Sequence, residues 1–186
     1  MRYLRLALIG LVVTALLPSL GTIVKFQKLS KPESGFNGLG DKLFQDGYVF
    51  NLSSGPYGRS LGVWKDRDPS HPVGGPAATA LTSYYTGNTL TITRQDGRAF
   101  ELKSIDLAPW GVGQDGGKGS SITNFVGLKR DGRHVSQNFA VKNYPGSPRL
   151  QHFVFKGFTG LKKVSVQQGT YGAGAGWQMT NLNVTP

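Results

Sequence analysis

The chain has no cysteine among its 186 residues. Disulfide bonds therefore contribute nothing to its stability, and thiolate catalysis, thiolate metal ligation and haem attachment through cysteine are excluded. Acidic residues are scarce as well: 10 Asp and Glu stand against 21 Lys and Arg, and no acidic residue follows Asp131. The net charge of +11 favours anionic partners such as lipid headgroups, acidic polysaccharide or an acidic protein surface.

Groups suited to catalysis or metal binding are also few. The histidines His71, His134 and His152 are scattered, and none lies at a metal-binding spacing from another histidine or a carboxylate. The acidic residues offer no clear pair for glycoside hydrolysis, and we interpret Asp66 and Asp68 as turn formers. The sequence therefore predicts a protein that is not an enzyme and has no catalytic, metal or cofactor-binding residues.

The N-terminal segment combines two cations with a long uncharged run. Arg2 and Arg5 precede residues 6–24, which contain no charged side chain. A cationic start, an apolar stretch and small residues at Ser19 and Gly21 are the parts of a secretory signal. Nineteen residues are also enough to cross about 30 Å of hydrocarbon as a helix. Cleaved signal and retained anchor both remain open.

Either alternative places the domain outside the cytoplasm, in the periplasm or at the cell surface, and so disfavours nucleic acid as a partner. A cleaved signal would give a mature start at Thr22, whereas a retained helix would hold the protein in the membrane through residues 6–24. We take the anchored form as the working prediction. The predicted organisation is a signal or anchor helix over 1–27, a tether over 28–43 and a β-sandwich domain over 44–186.

No long stretch after residue 40 has helical periodicity. Short runs of alternating apolar residues are separated by Gly, Pro and Asn, which is typical of all-β proteins. We therefore predict an all-β, antiparallel, two-sheet β-sandwich of jelly-roll type after one N-terminal apolar helix. The predicted strands are Gly47–Leu52, Ala80–Tyr85, Leu90–Thr93, Phe100–Leu107, Ser121–Lys129, Val135–Val141, Gln151–Phe155, Leu161–Gln167 and Trp177–Val184.

Turn residues and alternation add detail to this fold. Asp96-Gly97 and Asp131-Gly132 each predict a hairpin with a tight type I′ turn. The apolar phase slips at Ser104, which predicts a β-bulge there. The side chains predicted to share an inner face in the strand before Asp131 are those of Ile122, Val126 and Leu128.

Aromatic and basic side chains are the candidate binding residues. Rings in loops can stack on the apolar face of a sugar or anchor a protein interface. The aromatic residues in predicted loops are Tyr57, Trp64, Trp110, Tyr144 and Tyr171. The candidate basic face consists of Arg133, Lys142, Arg149, Lys156, Lys162 and Lys163.

Three core-type runs precede a closing strand that begins at Trp177. They are Gly47-Tyr-Val-Phe, Phe100-Glu-Leu-Lys-Ser-Ile-Asp-Leu and Phe158-Thr-Gly-Leu-Lys-Lys-Val-Ser-Val. This order resembles the exported β-sandwich domains of bacterial PEP-CTERM-type envelope proteins, which look like galactose-binding jelly rolls and carbohydrate-binding modules. Where that family closes with an Asp-Asn pair, this chain has Thr180 and Asn181, which weakens the calcium site that the resemblance would imply.

Two functional hypotheses follow. The first is a non-enzymatic, membrane-tethered accessory or scaffold subunit that docks on a membrane protein assembly, with other subunits or anionic lipid as partners. The second is a secreted or surface carbohydrate-binding or matrix protein that recognises acidic glycans. A glycan-active enzyme ranks below both.

Overall fold

The computed structural model describes residues 21–29, 35–53, 61–65, 79–83, 87–110, 120–142, 149–168 and 176–186. These residues form one short 3-10 turn, Gln27–Leu29, and a series of β-strands. The strands are β1 Thr22–Val24, β2 Gly35–Gly40, β3 Lys42–Gln45, β4 Tyr48–Leu52, β5 Leu61–Lys65, β6 Thr79–Ser83, β7 Thr89–Arg94, β8 Glu101–Trp110, β9 Ser120–Lys129, β10 His134–Lys142, β11 Gln151–Val154, β12 Leu161–Gln168 and β13 Gly176–Thr185. Nowhere in these ranges does a helix have the length and hydropathy needed to span a membrane.

Two antiparallel sheets make up the domain. The seven-stranded sheet has the order β11-β8-β13-β6-β5-β2, with β1 beside β13, and the six-stranded sheet has the order β10-β9-β12-β7-β4-β3. The predicted all-β, two-sheet sandwich is confirmed, and each of the nine predicted strands overlaps an observed one. The sheets hide their apolar faces against each other, which is the main driving force for folding.

A cluster of phenylalanine rings joins the two sheets at one side of the core. Phe125 on β9 lies 5.5 Å from Phe139 on β10 and 5.0 Å from Phe155, measured between ring centroids. Phe155 follows β11 of the other sheet and also lies 4.9 Å from Phe158. The two pairs that involve Phe125 are edge-to-face, a geometry that stabilises a core by about 0.5–1.5 kcal/mol beyond the area that the rings bury.

The inward phase of β9 is opposite to the predicted one. Ile122, Val126 and Leu128 lie on the outer face, and the buried positions alternate with them. The reason is visible at Gly127, where an added Cβ would lie 2.6 Å from Cδ2 of Leu161 and 2.9 Å from a methyl carbon of Val135. Any larger residue would force one or both of these side chains to move. Because the side-chain period of a strand is two, Gly127 fixes the whole strand.

The N-terminal predictions need correction. Residues 22–24 form β1, so an apolar helix cannot extend to residue 24, and residues 1–20 lie outside the described ranges. In the segment predicted as a tether, β2 and part of β3 belong to the sandwich. Val24 and Phe26 are fully buried, and the Phe26 ring lies 5.5 Å from that of Phe50. These contacts draw the segment into the fold.

The two Asp-Gly turns differ from their prediction in different ways. Asp131-Gly132 does join a hairpin, β9 with β10. Asp96-Gly97 joins β7 to β8, which lie in different sheets, so the predicted hairpin there is wrong. Neither turn is type I′, because that type needs positive φ at both central residues and here only the glycines have it.

The aspartate carboxylates explain these turn conformations. Asp131 Oδ1 accepts a hydrogen bond from the backbone N–H of Arg133 at 3.0 Å, and Asp96 Oδ1 accepts one from Arg98 N–H at 3.0 Å. Hydrogen bonds from the Arg133 side chain and backbone hold the pKa of Asp131 below its ordinary value. The pKa of Asp96 is also lowered, mainly by the backbone hydrogen bond from Arg98.

A first prediction concerns Gly127. We expect Gly127→Val to lower the free energy of unfolding by about 1–3 kcal/mol, because overpacking forces Leu161 and Val135 to move. Urea denaturation followed by circular dichroism measures the loss. Ser165→Val, which adds bulk at an outward position of β12, is the control and should cost less than about 0.5 kcal/mol. Equal losses for the two variants would contradict the inward phase of β9.

A second prediction concerns acid stability. The pKa of Asp131 is lowered in the fold, so its ionised form stabilises the fold above the unfolded value of about 3.9, and this contribution disappears as the pH falls through the folded pKa. Asp131→Asn keeps an acceptor for the Arg133 N–H but removes the charge. We expect a lower thermal midpoint than the parent at about pH 7 and convergence of the two as the pH falls below the folded pKa of Asp131. A difference that does not change with pH would rule out this role.

Candidate functional site

The structure separates the predicted aromatic residues. Trp64 lies within β5 and Trp110 at the end of β8, so their predicted loop positions are wrong. In the seven-stranded sheet β5 and β8 are separated by β6 and β13, so these two backbone positions are not neighbours. The other three candidates, Tyr57, Tyr144 and Tyr171, lie outside the described residues. An aromatic binding platform therefore stays a prediction.

The six predicted basic residues fall into three groups. Arg133, Lys162 and Lys163 lie at the end of the sandwich that carries the β9–β10 turn, where Lys163 is opposite Leu128. Lys142 lies at the far end of β10, about 27 Å along the strand. Arg149 lies near Lys142, and Lys156 lies near Gln137 in the middle of β10. The six residues therefore do not form one continuous face.

Glutamine side chains position two of these basic segments. The amide of Gln151 bridges the backbone groups of Lys142 and also donates to the carbonyl of Arg149 at 3.4 Å. The side chain of Gln137, in the middle of β10, accepts a hydrogen bond from the backbone N–H of Lys156 at 2.9 Å. Lys142 and Arg149 thus lie together, and Lys156 lies between the two ends of the sheet.

The outer face of the six-stranded sheet carries many uncharged polar side chains, with the aliphatic residues Val126 and Leu128 among them. One row of directly opposed residues crosses β10, β9, β12 and β7, and a second row crosses all six strands. We call this surface the amide–hydroxyl face; its polar members are Asn138, Asn124, Gln167, Thr89, Ser136, Ser165, Thr91 and Asn51. All of them are exposed or half-buried. At about 4.8 Å per strand, the longer row extends about 24 Å.

Charge and apolar groups border this face. None of the six strands contains an Asp or Glu, whereas Lys42 and Lys163 lie at outward positions of β3 and β12. Two large apolar side chains are also open to solvent: Ile122 is 46% exposed and Phe44 57% exposed. The ammonium of Lys42 lies 5.1 Å from the centre of the Phe44 ring. The face therefore offers hydrogen bonds, apolar surface and positive charge together.

The sequence did not predict the amide–hydroxyl face, because the prediction placed Ile122, Val126 and Leu128 in the core. Asn124 lies on the same side of β9 as these three residues and was therefore also expected to face inward. The aliphatic residues Ile122, Val126 and Leu128 outnumber the apolar ones at the buried positions, where Ser121 and Thr123 are found. The available signal was Gly127, a glycine within a strand, which marks a close approach of a neighbouring group.

A second polar cluster lies on the seven-stranded sheet. Asp106 on β8 accepts a hydrogen bond from Asn181 Nδ2 on β13 at 2.6 Å, and its other oxygen lies 2.7 Å from Nδ1 of His152 on β11. The predicted bulge is confirmed here, because the β8–β13 register shifts on both sides of the pair of Ser104 with Asn183. Asn181 has a φ of 48°, a left-handed conformation that Asn tolerates better than most residues. Asp106 therefore fastens three adjacent strands.

Two buried oxygens lie beside this cluster. Thr180 is opposite Asp106, and Gln178 is two residues earlier on β13. Thr180 Oγ1 and Gln178 Oε1 have no hydrogen-bond partner, although the residues are 3% and 1% exposed. Within the ranges that the structure describes, no group of three or more His, Cys, Asp or Glu residues is placed to hold a metal. The cluster thus holds one carboxylate and one imidazole.

Comparison with known proteins gives structural likeness alone. No family model matches the chain, and no curated protein matches it. A mutant of the family 29 carbohydrate-binding module CBM29-2 aligns with a TM-score of 0.45 and 10% identity, covering 82% of this chain and 92% of that one. TmCBM61 in complex with β-1,4-galactotriose aligns with a TM-score of 0.39 and 13% identity, covering 86% and 92%.

A domain of tailspike protein 4 from bacteriophage CBA120 aligns with a TM-score of 0.40 and 11% identity; the alignment covers 75% of this chain and 19% of the tailspike chain. All three alignments have TM-scores below 0.5. These alignments give no information on what this chain binds. Membership of the PEP-CTERM-type family stays a prediction.

A third prediction concerns Asp106. We expect Asp106→Ala to lower the free energy of unfolding by about 1–3 kcal/mol, because it leaves polar groups of Asn181 and His152 without their acceptor. Asp106→Asn keeps one acceptor oxygen and should cost less. Urea denaturation of both variants tests this, and an unchanged midpoint for Asp106→Ala would show that the cluster does not fasten the strands.

Proposed function

We propose that this protein is a non-enzymatic carbohydrate-binding module that holds an acidic glycan on the amide–hydroxyl face. One observation carries the proposal: the outer face of a six-stranded sheet without any acidic residue presents rows of amide and hydroxyl side chains. Such a face is rich in hydrogen-bonding groups and poor in charge, and its lysines lie at its borders.

The chemistry of these side chains matches that of a sugar polymer. Each amide offers both donors and an acceptor, and each hydroxyl is donor and acceptor at once. Asn124 and Gln167 are directly opposed on neighbouring strands, and Gln167 Nε2 donates to Thr89 Oγ1 at 3.1 Å. Neighbouring sugar hydroxyls also act as donor and acceptor together. Rows of such pairs therefore suit an extended hydroxyl-rich chain.

The borders of the face supply charge and apolar contact. Lys163 and Lys42 attract the carboxylates or sulfates of an acidic glycan, and none of the six strands contains an acidic side chain. Ile122 and Phe44 offer apolar surface for the C–H groups of sugar rings.

The membrane-tethered scaffold has a weaker basis. It depended on an apolar helix through residue 24, and residues 22–24 belong to a sheet instead. It also depended on one continuous basic face, which the strands divide into three groups. The carbohydrate hypothesis needs neither feature, because its contacts lie on the face of a single rigid sheet.

A fourth prediction tests this function. Purified protein is titrated with soluble uronate polymers, polygalacturonate and alginate, and with a neutral galactan, by isothermal calorimetry. We expect binding to at least one uronate polymer and weaker binding to the galactan. Asn124→Ala and Gln167→Ala should each weaken binding about fivefold, because one hydrogen bond contributes about 1 kcal/mol.

A matched pair of lysine variants controls for net charge. Lys163→Gln removes a cation at the border of the face, and Lys103→Gln removes one from β8 of the other sheet. Lys163→Gln should weaken uronate binding, and Lys103→Gln should leave it unchanged. Equal weakening by both, or no binding to any of the three polymers, would contradict the proposal.

A further inference from the structure

Strand β1 shortens the apolar segment that is left to form a helix. Thr22, Ile23 and Val24 pair with Val184, Asn183 and Leu182 of β13, respectively. A residue cannot belong to a membrane-spanning helix and to this sheet at the same time. The uncharged run that is left for a helix covers residues 6–21 at most, which is sixteen residues in place of nineteen.

Sixteen residues are short for a membrane anchor. At 1.5 Å per residue a helix of this length reaches about 24 Å, whereas the hydrocarbon layer is about 30 Å thick. Pro18 lies near its end and shortens the regular part further. An apolar run of about 7–15 residues after a cationic start is instead the pattern of a secretory signal.

The folded domain requires the chain from Thr22 onward. Val24 and Phe26 are fully buried, and the side chain of Gln45 donates to the carbonyl of Lys25 at 3.2 Å. A cut after Val24 would remove a buried side chain and the pairing of β1 with β13. A cut immediately before Thr22 removes none of these contacts.

The position of Gly21 in the fold bears on whether cleavage comes before or after folding. A Cβ on Gly21 would lie 3.3 Å from Asn183 Oδ1 and 3.4 Å from the carbonyl oxygen of Val184, so the folded chain holds this residue against β13. A protease binds the segment that it cuts in an extended conformation, and in the folded protein the backbone of Thr22 is already paired with Val184 of β13. Cleavage at this position therefore has to precede folding.

We propose that a signal peptidase hydrolyses the Gly21–Thr22 peptide bond during export, before the sandwich forms. Ser19 and Gly21 supply the small residues that such an enzyme accepts at this spacing. Water adds across the bond, which leaves a carboxyl group on Gly21 and a free amino group on Thr22. The mature protein then begins at the first residue of β1 and carries no membrane anchor from this segment.

A fifth prediction tests the processing. The full chain is expressed in a bacterial host, and the folded protein is isolated and analysed by N-terminal sequencing and intact mass. We expect a single species that begins at Thr22. Ser19→Arg, which places a long charged side chain where a small one is needed, should accumulate as the uncleaved precursor, and Ser19→Ala should be processed like the parent.

Three results would overturn the inference. They are a folded protein that retains residues 1–21, a mature start within or after β1, and normal processing of Ser19→Arg. Because Ser19 precedes the described domain, neither substitution alters a residue of the sandwich. Glycan binding is measured on the purified folded protein whichever residue it begins with, so failure of the processing proposal and failure of the carbohydrate proposal are separate outcomes.

Discussion

The close contact of Gly127 with Leu161 and Val135 is the constraint on which the exposed chemistry of this protein depends. It places one residue of β9 at the interior, and the two-residue period of the strand then decides the side of every other residue in it. Because directly paired residues point to the same side of a sheet, the registers of β9 with β10 and β12 also determine which residues of those two strands face outward. A single steric requirement therefore determines which polar groups the sheet presents to solvent.

This phase of β9 buries less apolar surface at some interior positions than the opposite phase would. Ser121 and Thr123 are buried at positions that aliphatic residues would fill more favourably, whereas Val126 and Leu128 are partly in water. Phe125 compensates, because its ring contacts Phe139 and Phe155 and so joins the two sheets. One large ring at the centre of the strand contributes more burial than the flanking polar residues lose.

Alternation and turn composition predicted the class of fold and nine of its strands, because both signals are local. The partner of each strand is a non-local property, and there one of the two predicted hairpins failed. Asp96-Gly97 has the composition of a hairpin turn, yet it leads from one sheet to the other. The strands that the sequence missed, β1, β2, β3 and β5, are short or rich in glycine and have little alternation to detect.

The candidate site was harder to predict for a related reason. Aromatic and basic residues attract attention in a sequence because each carries recognisable chemistry alone. Asn124 and Gln167 have meaning only as a pair, since 43 positions separate them in the chain and the β9–β12 register brings them together. Single Asn, Gln, Ser and Thr residues are ordinary surface residues of any soluble domain.

A rigid sheet suits the binding of an extended polymer through many modest contacts. Each uncharged hydrogen bond contributes only about 1 kcal/mol in water, so affinity requires several of them in a fixed arrangement. The strand spacing supplies that arrangement without ordering any loop, which avoids the entropy lost when a flexible segment becomes fixed on binding. In the proposed complex the lysines at the borders of the face would favour acidic chains over neutral ones, because their attraction would add to hydrogen bonds that both kinds of chain can form.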